Sequence, residues 1–288
     1  MPEPIRPNVQ TFIGCDAEYD AARVVLFGAP FDSTTSFRPG ARFGPQAMRA
    51  ESVGIETYSP YQDADLENVS IMDAGDLDLP FGNAASALDK IERFAARVLG
   101  DGKKPCLIGG EHLVTLGAVR AAFKAHPDLR ILHFDAHADL RDDYMGEKLS
   151  HATVIRRIWE MTGDGKIFQF GIRSGSADEM HWSREHVQRE LFTADTIADA
   201  VSKIGDAPVY VTVDLDVVDP AEFPGTGTPE AGGLSFTQLH RALMATKKCN
   251  VVAFDVCELA PHYDHSGQST ALACKALREM LLAYAGSA

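Results

Sequence analysis

The sequence predicts an α/β fold built on a mainly parallel sheet. Short β-branched or aromatic runs alternate with helical patterns over nearly the whole length, which is the signature of βα units. Several of these runs are apolar on both faces, as strands covered by helices on either side must be. No Pro/Gly/Ser-rich linker, low-complexity tract or internal repeat interrupts them, so one domain spanning residues 1–288 is expected.

Taken in order, the expected strands are 24–28, 69–73, 106–108, 130–134, 167–170, 191–193, 209–213 and 251–256. Between them, 83–99 places Ala87, Leu88, Ile91, Phe94, Ala95, Val98 and Leu99 at helical spacing, and Gly100 follows as a stop. A second helix is expected over 235–248, starting on Ser235 as N-cap, and a closing amphipathic helix over 269–284. The longest irregular stretches, 138–150 and 217–234, each follow a strand that ends in acid residues. Sites in open α/β sheets sit at those carboxyl ends.

Composition limits the function classes. Hydrophobic residues at 45% and charged residues at 24% are those of a globular protein. The formal charge of −14 disfavours nucleic acid or an anionic membrane surface and suits a cationic ligand. Five widely spaced cysteines without a C-x-x-C pair argue against a disulfide framework and a zinc knuckle. The N-terminal MPEPIRPNVQ lacks a basic segment followed by an apolar stretch, and no apolar run approaches the roughly 18 residues of a spanning helix. A cytoplasmic location is the expectation.

The chemistry concentrates at three strand ends. ILHFDAHADLR carries Asp135, His137 and Asp139 at every second position, so an extended chain turns all three to one side. PVYVTVDLDVVDP repeats the device with Asp214 and Asp216, and PCLIGGEH delivers His112 after a Gly-Gly turn. Singly, each piece also reads as a buried polar pair or a turn cap. Together, four carboxylates gathered out of water repel one another unless cations compensate them. Two divalent ions balance four such charges, and an oxygen-rich set with two imidazoles suits Mn²⁺ or Co²⁺ better than structural zinc. Two such ions lower the pKa of a shared water.

Gly-Gly-Glu-His112, Asp135-Ala-His137-Ala-Asp139, Asp214-Leu-Asp216-Val-Val-Asp219-Pro and the loop Pro224 to Gly233 resemble the ureohydrolase family of agmatinases and arginases. The resemblance runs from about residue 24 to 285 and includes Arg38 to Pro45 and Asp255-Val-Cys-Glu258. It implies a three-layer α/β/α sandwich around an eight-stranded parallel sheet, two Mn²⁺ per subunit, and trimers or hexamers. It further implies that one ion takes His112, Asp135, Asp139 and Asp214, and the other His137, Asp135, Asp214 and Asp216. Glu258 matches the family's guanidinium-binding position, and a carboxylate does accept the planar N–H fork in a charge-assisted pair. His151 matches a histidine that moves protons, a role suited to imidazole, and Asp139 is a further catalytic candidate.

The substrate's tail is less determined. Leu140-Arg141-Asp142-Asp143-Tyr144 occupies the stretch with which arginases read an amino acid. Asp142 and Asp143 suit a terminal ammonium, as agmatine has; Arg141 suits a carboxylate, as guanidinobutyrate has, or pairs with its acidic neighbours. The PGTGTPEAGGL loop resembles agmatinases, so hydrolysis of agmatine to putrescine and urea is expected. Arginine, guanidinobutyrate or aminopropylagmatine hydrolysis, a deacetylase-like amidohydrolase and a non-catalytic sensor are the alternatives. His133 is expected to point away from the ligand run, into the core or behind the ligands. His126, His181, His186, His240, His262 and His265 are expected at the surface or in structural roles.

Overall fold

A computed structural model describes residues 9–286, so most of MPEPIRPNVQ lies outside the described residues. In chain order the regular elements are β1 (Val24–Ala29), α1 (Gly44–Glu51), β2 (Tyr58–Ser59), β3 (Ala64–Asp65), β4 (Ile71–Asp76), α2 (Ala84–Gly100), β5 (Lys104–Gly109), α3 (Thr115–Ala125) and β6 (Arg130–Phe134). There follow α4 (Val154–Thr162), β7 (Ile167–Ile172), α5 (Ala177–His186), β8 (Gln188–Leu191), α6 (Ile197–Ile204), β9 (Pro208–Asp214), α7 (Phe236–Thr246), β10 (Asn250–Cys257) and α8 (Gln268–Ala285).

Eight strands form one parallel sheet in the order β4-β1-β5-β10-β9-β6-β7-β8, while β2 and β3 make a small antiparallel hairpin. Side chains alternate across the sheet: Val209, Val211 and Val213 of β9 enter one core and Tyr210 the other. The first core is closed by α1, α6, α7 and α8, the second by α2, α3, α4 and α5. That is the three-layer sandwich. Among the described residues no helix is long and apolar enough to cross a membrane.

The expected helices stand where their caps place them. Asn83 accepts from the Ser86 amide to start α2, and Ser235 forms a reciprocal capping box with Gln238 to start α7. Two strands are displaced. The expected 69–73 begins later, at Ile71, because Leu66–Asn68 make a 3₁₀ turn first. The expected 191–193 is β8, Gln188–Leu191, a half-buried edge strand of polar residues, and Phe192 beyond it is exposed in the left-handed region at φ 66°. An edge strand needs no apolar run to pair on one side.

Glu279 of α8 is fully buried and accepts from Ser59, Gln62 and the Arg278 guanidinium. Burial opposes its charge, but the nearby His240 ring and the hydrogen bonds from Gln62, Arg278 and Ser59 prevail and hold its pKa at about 2. A depressed carboxylate pKa stabilises the fold above its ordinary value of 4.5, and that contribution is lost as pH falls towards about 2. Glu279→Gln is therefore expected to cost about 2 kcal/mol at pH 7, with the difference from wild type shrinking below about pH 4. Chemical denaturation across that range reads it. Equal stability at pH 7 would mean the network contributes nothing.

Candidate active site

Strands β5, β10, β9 and β6 are neighbours in the sheet, and the residues at or just past their carboxyl ends supply His112, Glu258, Asp214 with Asp216, and Asp135 through Asp139. Adjacent strand ends bring residues far apart in sequence into one space. The approach is tight at Gly110, where a Cβ would lie 2.1 Å from the Phe31 carbonyl oxygen. The chain then turns into a 3₁₀ helix that begins at His112.

His112 is buried, and its ring is oriented from behind. Its Nε2 lies 2.9 Å from Thr212 Oγ1, which donates to Asp255 Oδ1 at 2.7 Å; Tyr210 donates to the other oxygen of Asp255 at 2.6 Å. A carboxylate only accepts, so the Thr212 hydrogen goes to Asp255 and the Thr212 oxygen accepts the Nε2–H. That leaves a lone pair on Nδ1. It faces Asp139 Oδ2 at 3.0 Å, Asp135 Oδ2 at 3.1 Å and Asp214 Oδ2 at 3.6 Å.

A second group lies on the other side of Asp135. His137 Nδ1 is 3.0 Å from Asp216 Oδ2 and 3.5 Å from Asp135 Oδ1. Asp216 Oδ1 accepts from the Ala136 amide at 3.1 Å, whereas its Oδ2 is buried without an aligned hydrogen bond. Asp214 Oδ1 caps the Asp216 amide at 2.9 Å.

Two site residues are in the left-handed region that side chains other than glycine rarely adopt, Asp139 at φ 52° and Glu258 at φ 68°. Such strain persists only where surroundings over-determine it. The Asp139 carbonyl accepts the Ile155 and Arg156 amides at the start of α4, and the Glu258 amide donates to the Gly110 carbonyl.

Charge crowding is severe. Burial, then repulsion from Asp135, raises Asp139 to about 7; burial, then Asp216 and Asp135, raises Asp214 well above the carboxylate range. Burial works against charge on His112 and His137, yet their carboxylate neighbours raise both. Burial would raise Asp135 too, but His112, His133 and His137 hold it well below the carboxylate range. Carboxylate oxygens and imidazole nitrogens thus face common centres on both sides of Asp135, without a thiolate. This donor set fits a divalent cation on each side.

Glu258 is buried; its Oε1 accepts the His112 amide at 2.8 Å, and burial followed by repulsion from Glu111 pushes its pKa well above the ordinary range. It opens onto a cleft of about 300 Å³ shared with His137, Asp139, Arg141, His151 and Thr228. The loop bearing Thr228 packs closely there: a Cβ on Gly227 would lie 2.8 Å from the Arg38 carbonyl oxygen. Arg173 pins the same loop through the Glu230 and Val217 carbonyls.

His151 reaches the cleft with Nε2 3.2 Å from Ser36 Oγ and Nδ1 buried without a partner. Burial drives its pKa down to about 4, so the ring is neutral at neutral pH. Arg141 lines the cleft, stacks 4.8 Å over the Tyr144 ring, and contacts Glu179 at 3.4 Å rather than Asp142 or Asp143. Asp142 is held by Arg157 at 2.7 Å and lines a neighbouring hollow instead of the cleft.

The expectation for His133 also fails on geometry. His133 does not point away: residues 133 and 135 lie two apart on a strand, which is the same face, and His133 Nε2 is 2.8 Å from Asp135 Oδ2. Residues to which the sequence reading gave no role are Thr212 and Asp255 behind His112, Gln169 beside His133, Glu179 beside Arg141, and Glu111, whose carboxylate accepts from Thr34 and Thr35. Among the other histidines, His240 packs against Tyr61 and His186 stacks on Trp182, as structural residues do.

The model of the arginase family matches residues 22–283. The chain is 45% identical over 280 residues to an agmatinase of Bacillus subtilis, covering 96% of each chain, and 36% identical over 293 residues to a guanidinobutyrase of Pseudomonas aeruginosa, covering 97% of this chain and 91% of that one. The solved structure of the agmatine ureohydrolase of Thermoplasma volcanium superposes with a TM-score of 0.89 at 34% identity, over 96% of this chain and 94% of that chain. With a family match that runs from the first strand of the sheet to its closing helix, this chain belongs to the arginase family.

Proposed function

We propose that the chain is a guanidino hydrolase that converts agmatine to putrescine and urea with two Mn²⁺ ions, as one domain across residues 1–288. The observation that carries the reading is the convergence of two His–Asp sets on Asp135 with Glu258 opening onto the same cleft. His112, Asp135, Asp139 and Asp214 would hold one ion, and His137, Asp135, Asp214 and Asp216 the other. When bound, such ions acidify water so that it can act as a nucleophile near neutral pH. A cytoplasmic location and assembly into trimers or hexamers belong to the same proposal.

The chain's own groups supply the rest. Glu258, fixed at Oε1 by the His112 amide, keeps Oε2 for the planar guanidinium and so orients the reacting carbon. Asp139 accepts a proton at its carboxylate, and His151, neutral and with an unpartnered Nδ1, carries one towards the departing amine. At the tail end, Arg141 lies 3.4 Å from Glu179, a buried carboxylate that also accepts the Leu140 and Ser176 amides, so a substrate carboxylate must compete with Glu179 for Arg141. This favours agmatine. Arg141 on the cleft wall supports guanidinobutyrate as the second reading.

Urea release by the manganese-loaded protein tests the substrate. Agmatine is expected to exceed arginine in kcat/KM by at least about a hundredfold, since a misfitting charged tail leaves buried polar groups unpaired. Equal rates on both, or faster turnover of guanidinobutyrate or aminopropylagmatine, would overturn the substrate.

A further inference from the structure

Behind the ligand groups lie two fully buried polar side chains on neighbouring strands, His133 of β6 and Gln169 of β7, opposite each other in the parallel register. Buried polar groups at such positions must be hydrogen-bonded or they cost stability. Gln169 Nε2 lies 2.8 Å from the Ala138 carbonyl oxygen and 3.0 Å from His133 Nδ1, whereas Gln169 Oε1 has no partner. A carbonyl only accepts, so the amide atom that faces Ala138 must be the nitrogen. Rotating the amide would set oxygen against oxygen and strand both N–H groups.

The chemistry propagates from there. With one N–H on Ala138, Gln169 donates the other to His133 Nδ1, which must carry a lone pair. The ring hydrogen of a neutral imidazole is then on Nε2, 2.8 Å from Asp135 Oδ2. We infer that Gln169 and His133 are positioning residues: Gln169 selects the His133 tautomer, and the resulting Nε2–H fixes the carboxylate of Asp135 between the two His–Asp sets. The same amide ties the backbone at Ala138, between His137 and Asp139. Asp135 Oδ1 is held from its other side by the His137 amide, so both oxygens are oriented. Neighbours of this kind typically change metal affinity about 10–100-fold when lost.

The inference rests on the reading of Asp135 as a ligand to both ions. Gln169→Glu tests it, because the substitution keeps shape and volume but replaces the donating nitrogen with an oxygen that accepts. The full-length protein is titrated with Mn²⁺ by equilibrium dialysis, with thermal unfolding of the metal-free chain alongside. The expected result is binding weakened about 10–100-fold; the metal-free melting temperature falls as well, because the buried carboxylate no longer donates to Ala138 and His133, so the His133 tautomer, which mere packing would not set, separates positioning from packing. The His133 ring in metal-free wild type, read by its ¹⁵N shifts, is expected to show protonated Nε2 and bare Nδ1. Wild-type affinity in Gln169→Glu, or an Nδ1–H tautomer in wild type, overturns the inference. Failure of the wild-type chain itself to bind Mn²⁺ would instead overturn the metal-centre reading beneath it.

Discussion

Asp135→Asn is expected to leave a folded chain that releases urea from agmatine about a thousandfold more slowly than wild type, or slower, because the transition-state stabilisation at stake is several kcal/mol. Asp135 has short contacts to the histidines of both sets, His112 at 3.1 Å and His137 at 3.5 Å. The substitution removes one negative charge from the centre and also creates a conflict. Oδ1 accepts the His137 amide and Oδ2 accepts His133 Nε2–H, so an asparagine NH₂ meets a donor whichever way it turns. One buried donor is left unsatisfied. Urea release and bound manganese, measured on the same preparation, should fall together. Activity within tenfold of wild type would mean that Asp135 does not bridge the centre.

Glu258→Gln is expected to act on binding rather than on the metals. Its Oε1 keeps the His112 amide as a glutamine oxygen, and the NH₂ is turned towards the guanidinium, donor against donor. The lost charge-assisted hydrogen bond is worth about 1.5–3 kcal/mol, a rise of roughly 10–100-fold in the KM for agmatine. Manganese content should match wild type, since Glu258 is held at Oε1 by the His112 amide and stands outside the two His–Asp sets. A variant that loses metal would place Glu258 among the ligands instead.

The sheet and the ligand groups were legible because each rests on short-range pattern. Val209, Val211 and Val213 alternate with Tyr210 across β9, and Asp135, His137 and Asp139 share one parity at the end of β6. The same parity includes His133, and the expectation that it faced away was an error of counting that the 2.8 Å contact with Asp135 corrects. The roles of Gln169, Thr212 and Asp255 were not legible, because they exist only across neighbouring strands whose pairing the sequence does not state. Edge strand β8 was misplaced for a related reason: pairing along one side holds Gln188-Arg189-Glu190 without an apolar run. At the tail of the cleft, Arg141 left two readings open, and the partner it takes is Glu179, a residue 38 positions away on α5. Asp142 looked like a substrate contact by proximity to the motif, yet Arg157 of α4 draws it aside.

The arrangement as a whole stands or falls on how many cations the acids and imidazoles hold. Elemental analysis of the folded wild-type chain, saturated with Mn²⁺ and freed of unbound metal, gives that number directly. The two sets that meet at Asp135 predict two ions per chain, whereas one ion per chain in fully active protein would contradict a shared centre built from His112, His137 and the carboxylates between them.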